Sequence, residues 1–128
     1  MHRETFSTGT PWEPIVGYSR AIRVGSCIYV SGTVASGDDG GILGVGDPYT
    51  QAAQAIRNII RALESFGADA TNVVRTRIYV VNIDHWQEIG KAHAEFFGRI
   101  RPATTMVEVR RLITPEVLVE IEADAVLA

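Results

Sequence analysis

Apolar and polar side chains alternate through the last strand-like segment of the chain. Val119, Ile121, Ala123, Ala125 and Leu127 fall on one side, and Leu118, Glu120, Glu122, Asp124 and Val126 on the other. A strand turns successive side chains to opposite faces. This segment therefore predicts a strand with one apolar face and one face carrying three carboxylates. The stretch before it follows the same rule: Thr105, Val107 and Val109 oppose Thr104, Met106, Glu108 and Arg110, with a connection around Thr114–Pro115 between the two strands. A sheet face covered by helices does not carry consecutive acids. The acidic face must meet water, a ligand or another subunit.

The remaining elements follow from the same patterns. Arg3 to Ser7 reads as a short edge strand, and Thr8 to Gly17, with Gly9, Pro11, Pro14 and Gly17, as a loop. Ala21 to Val34 reads as a hairpin around Gly25-Ser26, where glycine at the first central position suits a type II′ turn. Ser36 to Gly46 holds five glycines and two aspartates without a phosphate-binding pattern, and is expected to be a mobile surface loop. The period then changes. Ala52, Ala53, Ile56, Ile59, Ile60 and Leu63 make one helical stripe, with Asp47 as cap, Pro48 in the first turn and Gly67 as the left-handed stop.

Val73 to Val81 is a strand in which Thr76, Ile78 and Val80 oppose Arg75, Arg77 and Tyr79. A second helix, capped by Asp84, carries Trp86, Ile89, His93 and Phe96-Phe97 on its stripe and ends at Gly98. The order β-β-β-α-β-α-β-β predicts an α+β fold in one domain spanning residues 1–128. Two helices cover one face of a sheet of about six mixed strands, giving a two-layer sandwich. Arg75, Arg77, Glu108, Glu120, Glu122 and Asp124 are then expected to share the uncovered face, where opposite charges pair across strands.

Composition narrows the function classes. The chain is 46% hydrophobic, yet has no apolar run long enough to span a membrane. Met1-His2-Arg3-Glu4 lacks the apolar core of a signal peptide, and the one cysteine, Cys27, fits a reducing compartment, so the expected location is cytoplasmic. A net charge of −3 argues against a nucleic-acid partner. No histidine pairs with a cysteine or carboxylate at metal-ligand spacing, and no cofactor motif is present, so neither metal nor cofactor is expected. His93, on an apolar helix face, reads as a core histidine, and Cys27 as a small hydrophobe. Ser31 has no triad partner in sequence. The residues alone predict no enzyme.

A resemblance adds what spacing lacks. Pro102-Ala103, the strand ending Val107-Glu108-Val109, Leu112 and Val119-Glu120-Ile121-Glu122-Ala123 resemble the C-terminal signature of the YjgF/RidA family, also called the endoribonuclease L-PSP family. Tyr18-Ser19 and Val30-Ser31-Gly32 extend the likeness over nearly the whole chain. It implies a homotrimer whose sheets form a central barrel, with small-molecule clefts between subunits and, in the better-understood members, hydrolysis of reactive enamines and imines. By the same likeness Glu120 directs water onto the C=N carbon, while Tyr18, Ser31 and Gly32 shape the pocket. Gly90, Thr104 and Met106 stand where members have an Asn, an Arg and a Cys. That Arg clamps a substrate carboxylate, each such bond contributing about 1.5–3 kcal/mol. Its replacement by Thr104 implies slow turnover of amino-acid imines, and Arg101, expected to be held extended by Pro102, is poorly placed to substitute. The implied function is hydrolysis of a different enamine or imine; a non-catalytic metabolite-binding trimer and a ribonuclease are the alternatives.

Overall fold

The computed structural model describes residues 2–128. Its six strands are β1 (Arg3–Phe6), β2 (Ala21–Val24), β3 (Cys27–Thr33), β4 (Val73–Val80), β5 (Ala103–Glu108) and β6 (Val119–Val126). They form one sheet in the order β1-β2-β3-β6-β4-β5. Every neighbouring pair is antiparallel except β4 with β5, which run parallel. Helices α2 (Pro48–Glu64) and α3 (Trp86–Phe97) cover one face. The two-layer α+β sandwich expected from the alternation is what forms, with one addition. Residues Trp12–Val16 make a short helix, α1, where a loop was expected. Pro14 sits in its first turn, where its missing N–H costs nothing, and Gly17 stops it at φ 93°.

The core is built by the predicted stripes. Val119, Ile121, Ala123 and Ala125 of β6 are buried with Ile28 and Val30 of β3 and Ile78 and Val80 of β4. On α2, Ala52, Ala53, Ile56, Ile59 and Leu63 are buried against them, while Ile60 is half-buried at the margin. Asp47 caps α2 as expected, accepting from the Thr50 N–H at 3.2 Å. The hairpin turn also holds: Gly25 has φ 61°, as the first central position of a type II′ turn needs.

Several local expectations are corrected. Asp84 does not cap α3; it lies in a single 3₁₀ turn, Ile83–His85, whose cap is Asn82. Trp86 is mostly exposed, since the buried stripe of α3 runs through Ile89, Ala92 and Phe97. Arg101 is not extended but left-handed, φ 57°, because its N–H closes the helix end on Phe97 O at 2.8 Å. Glu108 does not join the acidic face. The parallel register sets Thr104 beside Thr76, Met106 beside Ile78 and Glu108 beside Val80, on the helix side of the sheet. Val107, not Glu108, therefore shares the open face with Tyr79. The loop after β3 is also tied down. Asn58 Nδ2 donates to Val34 O and Ser36 O at 3.0 and 2.9 Å, and Ser36 bridges to Ile42.

The open face carries the charges of β4 and β6. Arg77 Nη1 lies 3.5 Å from both Glu122 and Asp124, and Tyr79 donates to Glu122 at 2.8 Å. This is the cross-strand ladder predicted for Arg77, Glu122 and Asp124. Glu120 stands apart from it.

Candidate functional site

A break in strand pairing isolates Glu120. The β3–β6 register pairs Val30 with Ala123 but Thr33 with Ile121, so β3 carries one extra residue across Ser31-Gly32. Such a bulge bends the strand and re-aims its neighbours. Here it brings bare Gly32 backbone under the Glu120 side chain. A methyl group at Gly32 would stand 2.9 Å from Glu120 Cδ and closer still to Oε2. Only glycine leaves the carboxyl room to lie there.

Glu120 has no hydrogen-bond partner among the described residues, unlike Glu122 one pleat away. Burial raises its pKa, the nearby Arg20 charge lowers it and Glu122 raises it again, with a net upward shift. A half-buried, unbonded carboxyl with a raised pKa is a stronger proton acceptor when ionised than an exposed one. It faces a cleft of about 1050 Å³ whose lining includes Tyr18, Arg20, Gly32 and Glu120, with Trp12, Val16 and Ile113 as apolar wall.

Arg20 is the residue that strand alternation did not reveal. It is 6% exposed and fans its donors over the site. Nη1 donates to Gly32 O and, at 3.3 Å, to Thr33 Oγ1; Nη2 donates to Tyr18 Oη at 3.3 Å. Its Nε lies 3.9 Å from Glu13 Oε2, and the guanidinium carbon stands 5.5 Å from the Tyr18 ring centre. Glu13, on α1, is buried. Burial pushes its carboxyl pKa up, but bonds from Ser7, Thr10 and Thr8 together with the Arg20 charge outweigh this and hold it down. Strand parity could not find the pair, because Glu13 comes from a helix where a loop was expected. The one sequence signal was an arginine directly after Tyr18-Ser19.

The remaining predicted residues do not gather here. Ser31 lines an adjoining concavity of about 680 Å³ that shares Tyr18 with the cleft, and its hydroxyl is turned to Ser19 O at 2.7 Å. Thr104, Met106 and Gly90 belong to the β5–α3 side. Thr104 Oγ1 meets Thr76 Oγ1 at 2.8 Å, and Thr76 in turn meets His93 Nε2 at 2.9 Å. Met106 packs against the core margin, and Gly90 faces open space. Within one chain, the Glu120 group and the Thr104 group are thus on opposite faces of the sheet. No group of three or more His, Cys, Asp or Glu side chains among the described residues could hold a metal.

The comparisons with known proteins agree with the fold and with the sequence signature. The model of the Endoribonuclease L-PSP family matches residues 8–127. The chain belongs to the YjgF/RidA family. A solved member of the highly conserved YjgF/YER057c/UK114 family from Mycobacterium tuberculosis superposes with a TM-score of 0.89 at 49% identity, covering 98% of this chain and 100% of that one. A RutC family protein of Pyrococcus abyssi is 35% identical over 125 residues, 98% of each chain. The 2-iminobutanoate/2-iminopropanoate deaminase of Rattus norvegicus is 32% identical over 124 residues, 97% of this chain and 90% of the relative.

Proposed function

We propose that this YjgF/RidA protein is a homotrimer that binds a small metabolite in clefts between subunits and hydrolyses a reactive enamine or imine there. The observation that carries this reading is the Glu120 carboxyl, unbonded over Gly32 and raised in pKa by burial, in a cleft shared with Tyr18. A second copy supplies the reason for two separated groups: each cleft takes Tyr18, Ser31, Gly32 and Glu120 from one subunit and Gly90, Thr104 and Met106 from the next. The open sheet face with Arg77, Glu122 and Asp124 packs toward the other copies. The metabolite is the partner, with no membrane or nucleic acid involved, and the single free cysteine suits a cytoplasmic setting.

The chemistry follows from the groups present. Glu120 takes a proton from a water as its oxygen bonds to the C=N carbon, and the imine electrons move to nitrogen. Glu120 returns that proton to the nitrogen, the new hydroxyl gives up its own proton to the same nitrogen, and the C–N bond breaks as the carbonyl forms, releasing ammonia. Amino-acid imines are poor substrates here. Thr104 is engaged with Thr76 and Pro102 O and offers a carboxylate no guanidinium. Losing two charged hydrogen bonds at about 1.5–3 kcal/mol each lowers binding or rate by roughly a hundred- to ten-thousand-fold.

The test is ammonia release from a panel of freshly generated imines, some bearing a carboxylate and some not, with purified protein. Acceleration of at least one imine, lost in Glu120→Gln, is the expected result. Binding of a metabolite with no acceleration across the panel would favour a non-catalytic binding trimer instead.

A further inference from the structure

We propose that Arg20 is a positioning residue that fixes the Tyr18 hydroxyl as a hydrogen-bond donor into the Glu120 cleft. The cleft then selects an uncharged ligand with an acceptor beside an N–H donor, as in a carboxamide, over a carboxylate. This rests on the small-molecule reading of the cleft and assigns the ligand's polar group.

The direction of one hydrogen bond starts the argument. A guanidinium has donors and no acceptor, so the 3.3 Å contact between Arg20 Nη2 and Tyr18 Oη makes the phenol oxygen the acceptor. The Tyr18 proton must then point away from Arg20, and the hydroxyl has no other partner among the described residues. Tyr18, Arg20 and Glu120 line the same cleft. A phenol that accepts a bond from a cation is also a stronger donor, since hydrogen bonds in a chain polarise one another. Arg20 itself is not free to turn. Its Nη1 is held by Gly32 O and Thr33 Oγ1, and its Nε faces Glu13.

Charge fixes the other half. Glu13 is 3% exposed and matches the Arg20 charge inside the fold. Glu120 makes no ion pair among the described residues, so with both carboxyls ionised the three groups carry one net negative charge. A ligand carboxylate placed between Tyr18 and Glu120 would meet a like charge, whereas a carboxamide accepts from Tyr18 through its oxygen and donates to Glu120 through its nitrogen. The apolar wall of Trp12, Val16 and Ile113 suits a carbon chain behind that group.

Pyruvamide and pyruvate differ only in the group at issue, and their binding to the full-length protein at about pH 8, where a carboxylate is ionised, tests the proposal by calorimetry. Wild type should bind pyruvamide about tenfold more tightly, the worth of roughly one hydrogen bond. Tyr18→Phe should erase most of that preference. Arg20→Lys keeps a charge opposite Glu13 but lacks the fork that reaches Tyr18. It should lose the same preference, and the double variant should lose no more than either single one. Tighter binding of pyruvate by wild type overturns the ligand assignment and leaves the cleft reading standing. Additive losses in the double variant overturn the action of Arg20 through Tyr18. If neither compound binds wild type at millimolar concentration, the small-molecule reading of the cleft fails, and this inference with it. Should Arg20→Lys not fold, the wild-type preference and its loss in Tyr18→Phe still decide.

Discussion

At the scale of single residues, the site is made by what Gly32 lacks. Its φ is not in the left-handed region, so the requirement is space for Glu120 and not backbone freedom. Gly32→Ala should push aside the far end of a flexible side chain and cost less than about 1 kcal/mol of stability by denaturant melt. It should still lower turnover about a hundredfold, since a displacement near 1 Å is enough for that. Unchanged turnover would show that the Glu120 position over Gly32 is irrelevant to chemistry. Glu120 itself gives a prediction with opposite signs. Burial is the main cause of its raised pKa, so the protonated form is favoured by folding. Its contribution to stability is full below the unfolded value and is lost as pH rises through the folded one. Glu120→Gln, which never ionises, should therefore melt higher than wild type at neutral pH, and the gap should close on acidification. Its turnover should fall about 10²- to 10⁴-fold, while wild-type kcat/KM should decline as pH drops through the Glu120 pKa. A thermal melt over a pH series reads the first effect; a lower midpoint for the variant at pH 7 contradicts it. Hydrogen-bond direction also settles a tautomer. Thr104 donates to Pro102 O, so Thr76 donates to Thr104 and accepts from a protonated His93 Nε2. His93, whose pKa burial lowers, is thus a bonded core histidine, as its place on an apolar stripe suggested.

Elements were legible where one periodicity ran long enough to exclude the other. The alternation of β6 and the stripe of α2 set the layer order, and Ile59, buried beneath α2, is where it can be tested. Ile59→Ala should cost about 2–5 kcal/mol in a urea melt; a change under about 0.5 kcal/mol, typical of surface sites, would mean that the stripe does not face the sheet. β5 was half legible. Its alternation gave two faces, but Thr105-Val107 and Thr104-Met106 are similar in polarity, and only the register with β4 decides which pair turns toward the helices. α1 was not legible at all, because five residues containing a proline carry no period. With it went the Glu13–Arg20 pair. The predicted site residues came from resemblance to a family motif, and Arg20 lies between its Tyr18-Ser19 and Val30-Ser31-Gly32 segments. Its role depends on a bulge and a buried helix that local sequence does not announce.

At the scale of the whole molecule, the proposed cleft requires two groups on opposite faces of one sheet to meet. A ring of three identical subunits would bring them together, because each contact in a cyclic trimer joins two different patches. Light scattering should report three copies at micromolar concentration; a monomer there would sink the intersubunit cleft. A mixing experiment asks more. Glu120→Gln removes the carboxylate from one half of each cleft, and Thr104→Trp would fill the other half. Each homotrimer should be inactive. If the two variants are unfolded together and refolded at equal amounts, a cleft works only when its Glu120 half comes from the Thr104→Trp chain and its Thr104 half from the Glu120→Gln chain. Random assembly of a cyclic trimer makes about one cleft in four of that kind, so about a quarter of wild-type activity should return. No recovery, from a mixture shown by native mass spectrometry to contain hybrid trimers, would place both groups' function within one chain. The opposite faces of Glu120 and Thr104 would then need another explanation.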